Sequence, residues 1–324
     1  MRCFITGATG FVGSHLAEAC LERGWDVSCL VRSPDRPGWL TGTGVKVVHG
    51  DLDDIDVLAR AIDGTDVVFH LAALVKARAV EDYERVNCQG TDTLVRACLL
   101  NSKSTFRLIV LSSQAAAGPS LDGTPIDEDM PCNPVSPYGW SKLRSEHAAL
   151  SRSDALATTV IRPPTIYGPR DREGLAIFRL VAVGVRPRLA VREISIIHVR
   201  DLVEAILAAG TTEAAAGRTY FVANENPVTL TDVGSLMARS LGRKTVEIPI
   251  SSRLLWTAGL ANEMGGRLLG KEMIFDRHKA IEMVQTGWVC SSARAIAELP
   301  WRPRIDLAIG LDETVRWYRA NTWL

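Results

Sequence analysis

Continuous apolar runs alternate with longer segments of helical apolar period along the first two thirds of the chain. Short apolar runs bounded by turn residues are typical of buried strands, and apolar residues three and four positions apart are typical of helices. The runs predict strands at 2–6, 26–31, 45–49, 66–71, 106–112, 158–162 and 218–222. The periodic segments predict helices at 12–23, 54–62, 81–100, 198–209 and from residue 138 onward. Apolar strands joined by helices predict an α/β fold with a doubly wound parallel sheet.

The pattern changes after residue 163. Residues 163–197 contain Pro and Gly and show little regular period, whereas residues 224–324 are mostly helical in pattern and contain five of the eight tryptophans. We therefore predict two parts. Residues 1–162 and 198–223 form the sheet domain, and residues 163–197 and 224–324 form a smaller, mostly helical lobe that covers a substrate.

Composition and charge exclude several classes of protein. The chain has 324 residues, of which 47% are hydrophobic, so global disorder is not expected. Lys plus Arg equals Asp plus Glu at 37 each, so the net charge gives no reason to expect binding to nucleic acid or to an anionic membrane. No apolar run is long enough to span a bilayer, and no signal peptide precedes the first predicted strand.

The seven cysteines are scattered along the chain without CxxC spacing. Several of them lie in apolar runs, which predicts free, buried thiols in a reducing, cytoplasmic environment. No cluster with metal-ligand spacing is visible, so we expect no metal.

A glycine-rich turn follows the first predicted strand and opens the first helix. Gly7, Gly10 and Gly13 have the spacing GxxGxxG. Glycine permits positive φ angles and a close approach of the backbone to a ligand. The N-terminus of a helix offers free N–H groups and a partial positive charge to a pyrophosphate. The turn therefore predicts a dinucleotide site.

The residue after the second strand favours one nicotinamide cofactor over the other. An acid at this position binds the ribose 2′-OH of NAD, whereas an arginine accommodates the 2′-phosphate of NADP. The chain has Arg32 here and no acid before Asp35, with Arg36 close by. We therefore favour NADP(H), with NAD(H) as the alternative.

Three further residues are candidates for the cofactor site. Asp51 follows the third predicted strand and has a side chain that can accept from an adenine amino group. Ala72 and Ala73 follow the fourth strand, where small side chains let the backbone pack against a cofactor.

Tyr138 and Lys142 are the strongest candidates for catalysis. Ser136 is a suitable helix cap and Pro137 suits a first turn, which places Tyr138 and Lys142 at i and i+4 on one helical face. A nearby ammonium is expected to lower the tyrosine pKa from about 10 and to make it an acid/base for an alcohol oxygen. Ser112 and Ser113 end the fifth strand, where ligands bind in such sheets.

These residues together resemble the extended short-chain dehydrogenase/reductase family, which has a Rossmann-type sheet. The resemblance implies that Ser113 is the catalytic hydroxyl, Tyr138 the acid/base, and Lys142 the residue that binds the nicotinamide ribose, with Asn87 supporting the active-site helix. The matching segments are 6–16, 50–54, 70–73, 86–91, 111–118, 138–142, 162–170 and 196–206. The cofactor-binding residues implied are Gly7, Thr9, Gly10, Phe11, Val12, Gly13, Arg32, Asp51, Leu52, Ala72, Ala73, Tyr138, Lys142 and Pro163.

Departures from the family pattern narrow the range of expected substrates. Sugar dehydratases have an Asp-Glu pair where this chain has Gln114-Ala115, and nucleotide-sugar epimerases commonly have an Asn where it has Pro163 or Pro164. The Arg-Pro-Pro pattern is similar to the dihydroflavonol reductase and 3β-hydroxysteroid dehydrogenase branch, which handles apolar alcohols and ketones. We expect a small-molecule substrate in a largely apolar pocket, to which Leu254, Leu255 and Trp256 are candidate contributors.

The sequence thus predicts an NADP(H)-dependent reductase or dehydrogenase that interconverts a ketone and a secondary alcohol. Two alternatives stay open: an NAD-dependent nucleotide-sugar epimerase and a non-catalytic NADP-sensing protein. His198 belongs to the family's Ile-His-Val segment and is expected to be structural. The family often dimerises through helices corresponding to 81–100 and the Tyr138 helix, so Trp140 is a candidate interface residue of a homodimer.

Overall fold

The computed structural model describes residues 1–33, 35, 38–77, 79–101, 107–189, 193–269, 277–285 and 287–324. Its strands are β1 (Arg2–Thr6), β2 (Asp26–Val31), β3 (Lys46–His49), β4 (Val67–His70), β5 (Arg107–Leu111), β6 (Ala157–Arg162), β7 (Thr165–Tyr167), β8 (Val185–Arg188), β9 (Glu193–Ile194), β10 (Ile196–His198), β11 (Thr219–Phe221), β12 (Val228–Thr229), β13 (Val246–Pro249) and β14 (Gly287–Trp288).

The helices in the described residues are α1 (Phe11–Glu22), α2 (Ile55–Ile62), α3 (Val80–Tyr83), α4 (Gly90–Leu100), α5 (Gln114–Ala117), α6 (Pro137–Leu150), α7 (Leu175–Ala182), α8 (Val199–Thr211), α9 (Leu230–Leu241), α10 (Ser252–Leu269), α11 (Arg277–Met283), α12 (Ala293–Glu298) and α13 (Leu307–Ala320). A π-helical segment, Glu84–Gln89, joins α3 to α4.

Seven strands form one parallel sheet in the order β11-β6-β5-β4-β1-β2-β3. The chain starts at β1 near the middle, builds outward through β2 and β3, and then returns to β4 on the other side of β1. The strand order reverses between β1 and β4, and ligands bind outside the carboxyl ends of the strands at such a switch point. The predicted α/β fold with a doubly wound parallel sheet is confirmed.

Helices cover both faces of this sheet because its strands are apolar on both sides. Cys3 and Ile5 of β1 pack into one core together with Leu16 of α1 and Val203 of α8. Phe4, the residue between them, points to the opposite face and packs into a second core that also contains residues of α2 and α4. The side chains alternate because successive residues of a strand point to opposite faces.

The helix predicted for residues 81–100 is confirmed as a continuous helical run from α3 to α4. Within it, the segment Glu84–Gln89 is π-helical, which the sequence does not predict. Such segments are frequent at functional sites, and this one contains Asn87.

Residues 163–197, which show little regular period in the sequence, nevertheless form regular structure. They contain α7 and the short strands β7, β8, β9 and β10. A helix of about two turns and strands of two to four residues are too short to produce a visible period. Their partners are also distant in sequence: β14 and β12 pair with β9, and β13 pairs with β8.

The second part of the chain has its own apolar core. Phe178 of α7, Met237 of α9, and Leu311 and Tyr318 of α13 are buried there. At the start of α10, Leu255 is buried but Leu254 and Trp256 are 57% and 48% exposed. Whether these three residues cover a pocket stays a prediction.

All seven cysteines are free, and six of them are buried, as predicted. Among the helices of the described residues, none combines the length and the apolar character that crossing a bilayer requires. In the same residues no three His, Cys, Asp or Glu side chains are grouped so that they could hold a metal ion.

Candidate functional site

The glycine turn brings β1, α1 and the end of β4 into close contact. Gly7 has a φ of 76°, and a Cβ atom there would lie 2.6 Å from the backbone nitrogen of Ala72. A Cβ atom on Gly13 would lie 2.2 Å from the carbonyl oxygen of Gly7. Both positions therefore exclude any larger residue. A Cβ atom on Gly10 would lie 3.2 Å from the carbonyl oxygen of Gly7, so a larger residue there would also be crowded.

The N-terminus of α1 suits a pyrophosphate. Gly10 is its N-cap and supplies no side-chain cap, and the first turn contains no acidic residue. Thr9, Phe11 and Val12 flank this end of the helix. Because uncapped N–H groups at a helix N-terminus attract anions, these residues fit the diphosphate of a dinucleotide.

The candidate adenosine-binding residues lie at the ends of β2 and β3. Arg32 is exposed directly after β2, and His49 Nε2 donates to its carbonyl oxygen at 3.1 Å. Asp51 is exposed, with Oδ1 accepting from the backbone of Leu52 at 2.7 Å, and the Leu52 side chain is buried. Arg36 lies outside the described residues.

Ala72 and Ala73 follow β4 and are partly buried beside the glycine turn. The backbone nitrogen of Ala72 donates to Thr6 Oγ1 at 3.3 Å. Their small side chains leave the backbone of the β4 end close to the turn.

The start of α6 follows the expected capping pattern. Ser136 is the N-cap, with its hydroxyl accepting from the backbone of Gly139 at 3.1 Å, and Pro137 occupies the first turn. This cap fixes the orientation of the helix that carries Tyr138 and Lys142. A Cβ atom on Gly139 would lie 2.3 Å from the Ala115 carbonyl oxygen, so the helix packs directly against the segment after β5.

Ser113, Tyr138 and Lys142 meet at the carboxyl end of β5. Tyr138 and Ser113 are partly buried, and Ser113 is a side-chain hydrogen-bond partner of Tyr138. Lys142 is 4% exposed, and its Nζ donates to the carbonyl oxygen of Leu111, the last residue of β5, at 2.7 Å. A hydroxyl, a phenol and a primary amine are thus held in one site, in which the residue that carries the amine is buried.

Burial shifts the pKa values of both α6 residues toward their neutral forms. Desolvation raises the pKa of Tyr138 well above its usual range; the charges of Glu282 and Glu173 add to this, and the hydrogen bond with Ser113 opposes it. Desolvation lowers the pKa of Lys142 to about 8, against the attraction of Glu146. The expected lowering of the Tyr138 pKa is therefore wrong for this chain's own residues, because desolvation and the nearby carboxylates outweigh the hydrogen bond with Ser113.

Asn87 connects the loop after β4 to α6. Its Oδ1 accepts from the backbone nitrogen of Leu74 at 2.7 Å, while Nδ2 donates to Leu74 O at 3.0 Å and to Ser141 Oγ at 2.9 Å. Both ends of the amide are used, and the side chain is buried. The geometry suits a residue that fixes the position of α6.

Ser112 has a different environment from Ser113. It donates to Glu146 Oε1 at 2.5 Å, and Glu146 also forms a buried ion pair with Arg162, whose Nη2 lies 2.6 Å from Oε2. This cluster ties α6 to β5 and β6. Sequence reasoning missed Glu146, although its position four residues beyond Lys142 places it on the same helical face.

A buried polar chain behind the site was also missed. His70 Nδ1 lies 2.7 Å from Thr6 Oγ1, and its Nε2 lies 2.9 Å from Thr91 Oγ1. Thr91 Oγ1 lies 2.8 Å from Ser145 Oγ on α6. Desolvation lowers the pKa of His70 to about 3, so a neutral imidazole links β1 to the catalytic helix.

The other residues singled out in the sequence, Pro163, Pro164 and His198, are buried. Pro163 and Pro164 are buried after β6, and the Pro163 carbonyl accepts from the backbone of Gln114 at 2.8 Å. His198 is fully buried and caps α8 by accepting from the backbone of Arg200. Burial lowers the pKa of His198 to about 3, consistent with the structural role predicted for it.

An ion pair joins the two parts of the chain near the site. Lys76, in the loop after β4, lies 2.5 Å from Glu173. The backbone nitrogen of Glu173 donates to buried Asp171, whose pKa is raised to about 6 by desolvation. Glu173 is one of the charges that raise the Tyr138 pKa, so its carboxylate acts on the site.

The doubly wound sheet, the glycine turn at Gly7, Gly10 and Gly13, and the group of Ser113, Tyr138 and Lys142 define a nicotinamide-dependent enzyme. Residues 3–223 match the NAD dependent epimerase/dehydratase family. This chain belongs to that family, the extended short-chain dehydrogenases/reductases, and is an oxidoreductase that uses NAD(P) on a small molecule.

Two similar proteins are reductases by name. The chain is 34% identical over 323 residues to the ceramide reductase of Caulobacter vibrioides (strain NA1000 / CB15N), covering 99% of this chain and 95% of that protein. It is 31% identical over 260 residues to the 4-hydroxy-2-methyl-3-oxo-4-farnesyl-3,4-dihydroquinoline-1-oxide ketoreductase of Stigmatella aurantiaca, covering 75% and 74%.

Solved structures share the whole fold. The crystal structure of gox2253 has a TM-score of 0.82 and 27% identity, covering 100% of this chain and 99% of that one. The structure of MoeE5 in complex with UDP-glucuronic acid and NAD has a TM-score of 0.79 and 26% identity, covering 99% and 100%.

Proposed function

We propose that this protein uses NADP(H) to reduce a ketone group on a largely apolar small molecule to a secondary alcohol. The contact between Ser113 and Tyr138, beside buried Lys142, carries the proposal. The similarity to a ceramide reductase and to a farnesyl-bearing ketoreductase supports an apolar ketone as the substrate.

In the direction of reduction, Tyr138 is the proposed proton donor. A phenol with a pKa above its usual range is protonated at neutral pH, so it begins the reaction as the acid that a ketone oxygen needs. Ser113 donates a hydrogen bond to the same oxygen and stabilises its developing negative charge. When bound, the nicotinamide supplies the hydride to the carbonyl carbon.

Lys142 stabilises the tyrosinate that remains after proton transfer. Lys142 lies four residues after Tyr138 on α6, and its Nζ donates a hydrogen bond to the carbonyl oxygen of Leu111. An ammonium in a site of low dielectric favours a nearby phenolate more strongly than it would in water. Asn87 acts as a positioning residue, because its three hydrogen bonds fix α6 against the loop after β4.

The preference for NADP(H) over NAD(H) rests on Arg32. Its exposed position directly after β2 suits contact with a 2′-phosphate. We expect Arg32→Asp to weaken NADP(H) binding more than NAD(H) binding. The other proposed cofactor contacts are the glycine turn, Asp51, Leu52, Ala72, Ala73 and Pro163.

The proposal assigns residues 1–162 and 198–223 to the cofactor domain, and residues 163–197 and 224–324 to the substrate lobe. The return of β11 to the main sheet supports this division, since β11 pairs with β6 after the chain has left the sheet. We further propose that the protein is cytoplasmic, because its cysteines are free thiols. We also propose that it forms a homodimer through α3, α4 and α6; Trp140 of α6 is 48% exposed.

A turnover screen tests the function. Wild-type protein should consume NADPH with apolar cyclic or long-chain ketones, and UDP should compete poorly for the substrate site. Tightly held NAD with interconversion of a nucleotide sugar would instead identify an epimerase; MoeE5, which shares this fold, is known in complex with UDP-glucuronic acid and NAD. NADP binding without turnover of any ketone, alcohol or nucleotide sugar would identify a sensing protein.

A further inference from the structure

The second part of the chain carries an apolar surface that no described residue covers. It begins on α7, where Ile177, Leu180 and Val183 are 42%, 43% and 75% exposed. These residues are three positions apart, so they lie on one side of the helix and its end. The opposite side of α7 is buried through Leu175, Phe178 and Val181.

The surface continues across the parallel pair of strands β8 and β13. Val246 and Ile248 are 70% and 46% exposed. Arg186 and Glu247, which pair across the two strands, lie on the other face, where Arg186 Nη1 donates to Ser235 of α9 at 2.6 Å. Since residues alternate between faces along a strand, one face of the ribbon packs on α9 and the face with Val246 and Ile248 does not.

The third portion is the start of α10, which follows β13 after two residues. Leu254 and Trp256 are exposed there, while Leu255 between them is buried. The backbone nitrogen of Val246 donates to the carbonyl oxygen of Gly184 at 2.9 Å, so the end of α7 and the start of β13 are adjacent. We call these three exposed faces together the lobe patch.

The charge around the lobe patch is mostly positive. Residues 175–189 and 243–262 contain six Arg or Lys residues and one acid, Glu247, whereas the whole chain has zero net charge. Glu247 lies on the face of the ribbon that packs against α9. Four of the cations are exposed and form no ion pair with any acid in the described part of the chain: Arg188, Arg243, Lys244 and Arg253.

We propose that the lobe patch docks the protein on the surface of an anionic lipid bilayer. Apolar side chains and a tryptophan that enter the headgroup region, with Arg and Lys around them, are the features that hold proteins on such surfaces. A second copy of this chain is a poorer occupant, because a symmetric contact would bring the same unpaired cations together. Because the net charge of the whole chain is zero, it does not reveal this local excess of positive charge.

Vesicle cosedimentation tests the proposal without substrate and therefore independently of the reaction. Wild-type protein should bind vesicles of phosphatidylcholine mixed with phosphatidylglycerol, and should bind phosphatidylcholine alone more weakly. Raising the salt concentration should reduce the difference between the two, because salt screens surface charge. The fluorescence of Trp256 should shift to shorter wavelength on binding, and Trp256→Phe should remove that part of the shift.

Two sets of variants separate the apolar and the ionic contributions. Val183→Glu with Val246→Glu should weaken binding to anionic vesicles by about tenfold or more, and Arg188→Gln with Lys244→Gln should reduce the preference for them. The matched control is Leu121→Glu with Ile309→Glu, since both residues are as exposed but lie outside the patch. All variants should keep the wild-type melting temperature and NADPH affinity.

Three results would overturn the proposal. The first is that wild type binds neither kind of vesicle, and the second is that the patch variant and the control variant bind equally well. The third is self-association in the absence of lipid that Val183→Glu with Val246→Glu abolishes, which would assign the patch to a second copy of the chain.

Discussion

Lys142 illustrates how burial determines the chemistry of one residue. The i, i+4 spacing with Tyr138 correctly places the two side chains in one region of α6, but spacing contains no information about solvent. In the structure, Lys142 is almost inaccessible and its pKa falls to about 8, while that of Tyr138 rises. The roles inferred from residue types are therefore compatible with the structure, whereas the direction of the tyrosine pKa required coordinates.

The pKa of Lys142 predicts how stability depends on pH. Its folded pKa of about 8 lies below the ordinary value of 10.5. Between these two values the unfolded chain binds the proton and the folded chain does not, so Lys142 contributes a free energy of unfolding that rises with pH. Below pH 8 this contribution is constant and unfavourable. We expect the difference in unfolding free energy, wild type minus Lys142→Met, to increase across this window.

Urea unfolding of the two proteins at several pH values measures this difference. The full rise should approach about 3 kcal/mol, since one pKa unit corresponds to about 1.4 kcal/mol. Tyr138 is present in both proteins, so its own titration cancels. A difference that stays flat or falls between pH 8 and 10.5 would show that Lys142 is not desolvated.

At the scale of elements, local signals predicted α1 and α6 well. Glycines mark the start of α1, and Ser136 with Pro137 marks the start of α6; both helices begin within one residue of the expected position. The π-helical segment had no such signal; Asn87 within it forms hydrogen bonds with the loop after β4 and with α6. Those partners are 13 and 54 residues away in sequence.

The glycine turn gives a prediction about α1. In Gly13→Ala the new Cβ atom would lie 2.2 Å from the Gly7 carbonyl oxygen, so the turn must move apart. Overpacking of this kind typically costs 1–3 kcal/mol, and we expect NADPH affinity to fall by about 10- to 100-fold. Isothermal titration calorimetry measures the affinity.

Gly24→Ala, just beyond the other end of α1, is the matched control. Gly24 has a φ of 70° and open space around it, so alanine adds backbone strain without touching the glycine turn. The free energy of unfolding of this variant should be lower than that of wild type, and its affinity for NADPH should be the same. If Gly13→Ala and wild type bind NADPH with equal affinity, the close contact between Gly13 and Gly7 is not needed for cofactor binding.

At the scale of the whole molecule, the contacts that join the two parts of the chain could not be read from the sequence. Glu282 of α11 accepts from the Ser136 hydroxyl at 2.6 Å, across 146 residues, and so reaches the cap of the catalytic helix. No motif contains Glu282, and the pairing depends on how the second part folds back. The Lys76–Glu173 ion pair is a second contact of this kind.

The contact of Glu282 with Ser136 predicts a change in the pH profile. The charge of Glu282 raises the pKa of Tyr138, so Glu282→Gln should lower it while keeping a hydrogen-bond acceptor for Ser136. Alcohol oxidation needs the tyrosinate as base, and its rate rises with pH through the Tyr138 pKa. We expect the kcat/KM profile for alcohol oxidation to shift toward lower pH in the variant.

Glu213→Gln controls for the loss of one surface carboxylate, since Glu213 is exposed and lies beyond the end of α8. Its profile should coincide with that of wild type. A Glu282→Gln profile that is unchanged or displaced to higher pH would contradict a direct electrostatic effect on Tyr138.

Single-turnover reduction by Tyr138→Phe tests the central claim most directly. The variant loses one hydroxyl and keeps the ring, so NADPH should bind with nearly wild-type affinity. With an apolar ketone that wild type reduces, we predict that hydride transfer from bound NADPH slows by about 10²–10⁴-fold, the usual contribution of a general acid. If the variant transfers hydride within about tenfold of wild type, with chemistry as the slow step, Tyr138 is not the proton donor and the account is wrong.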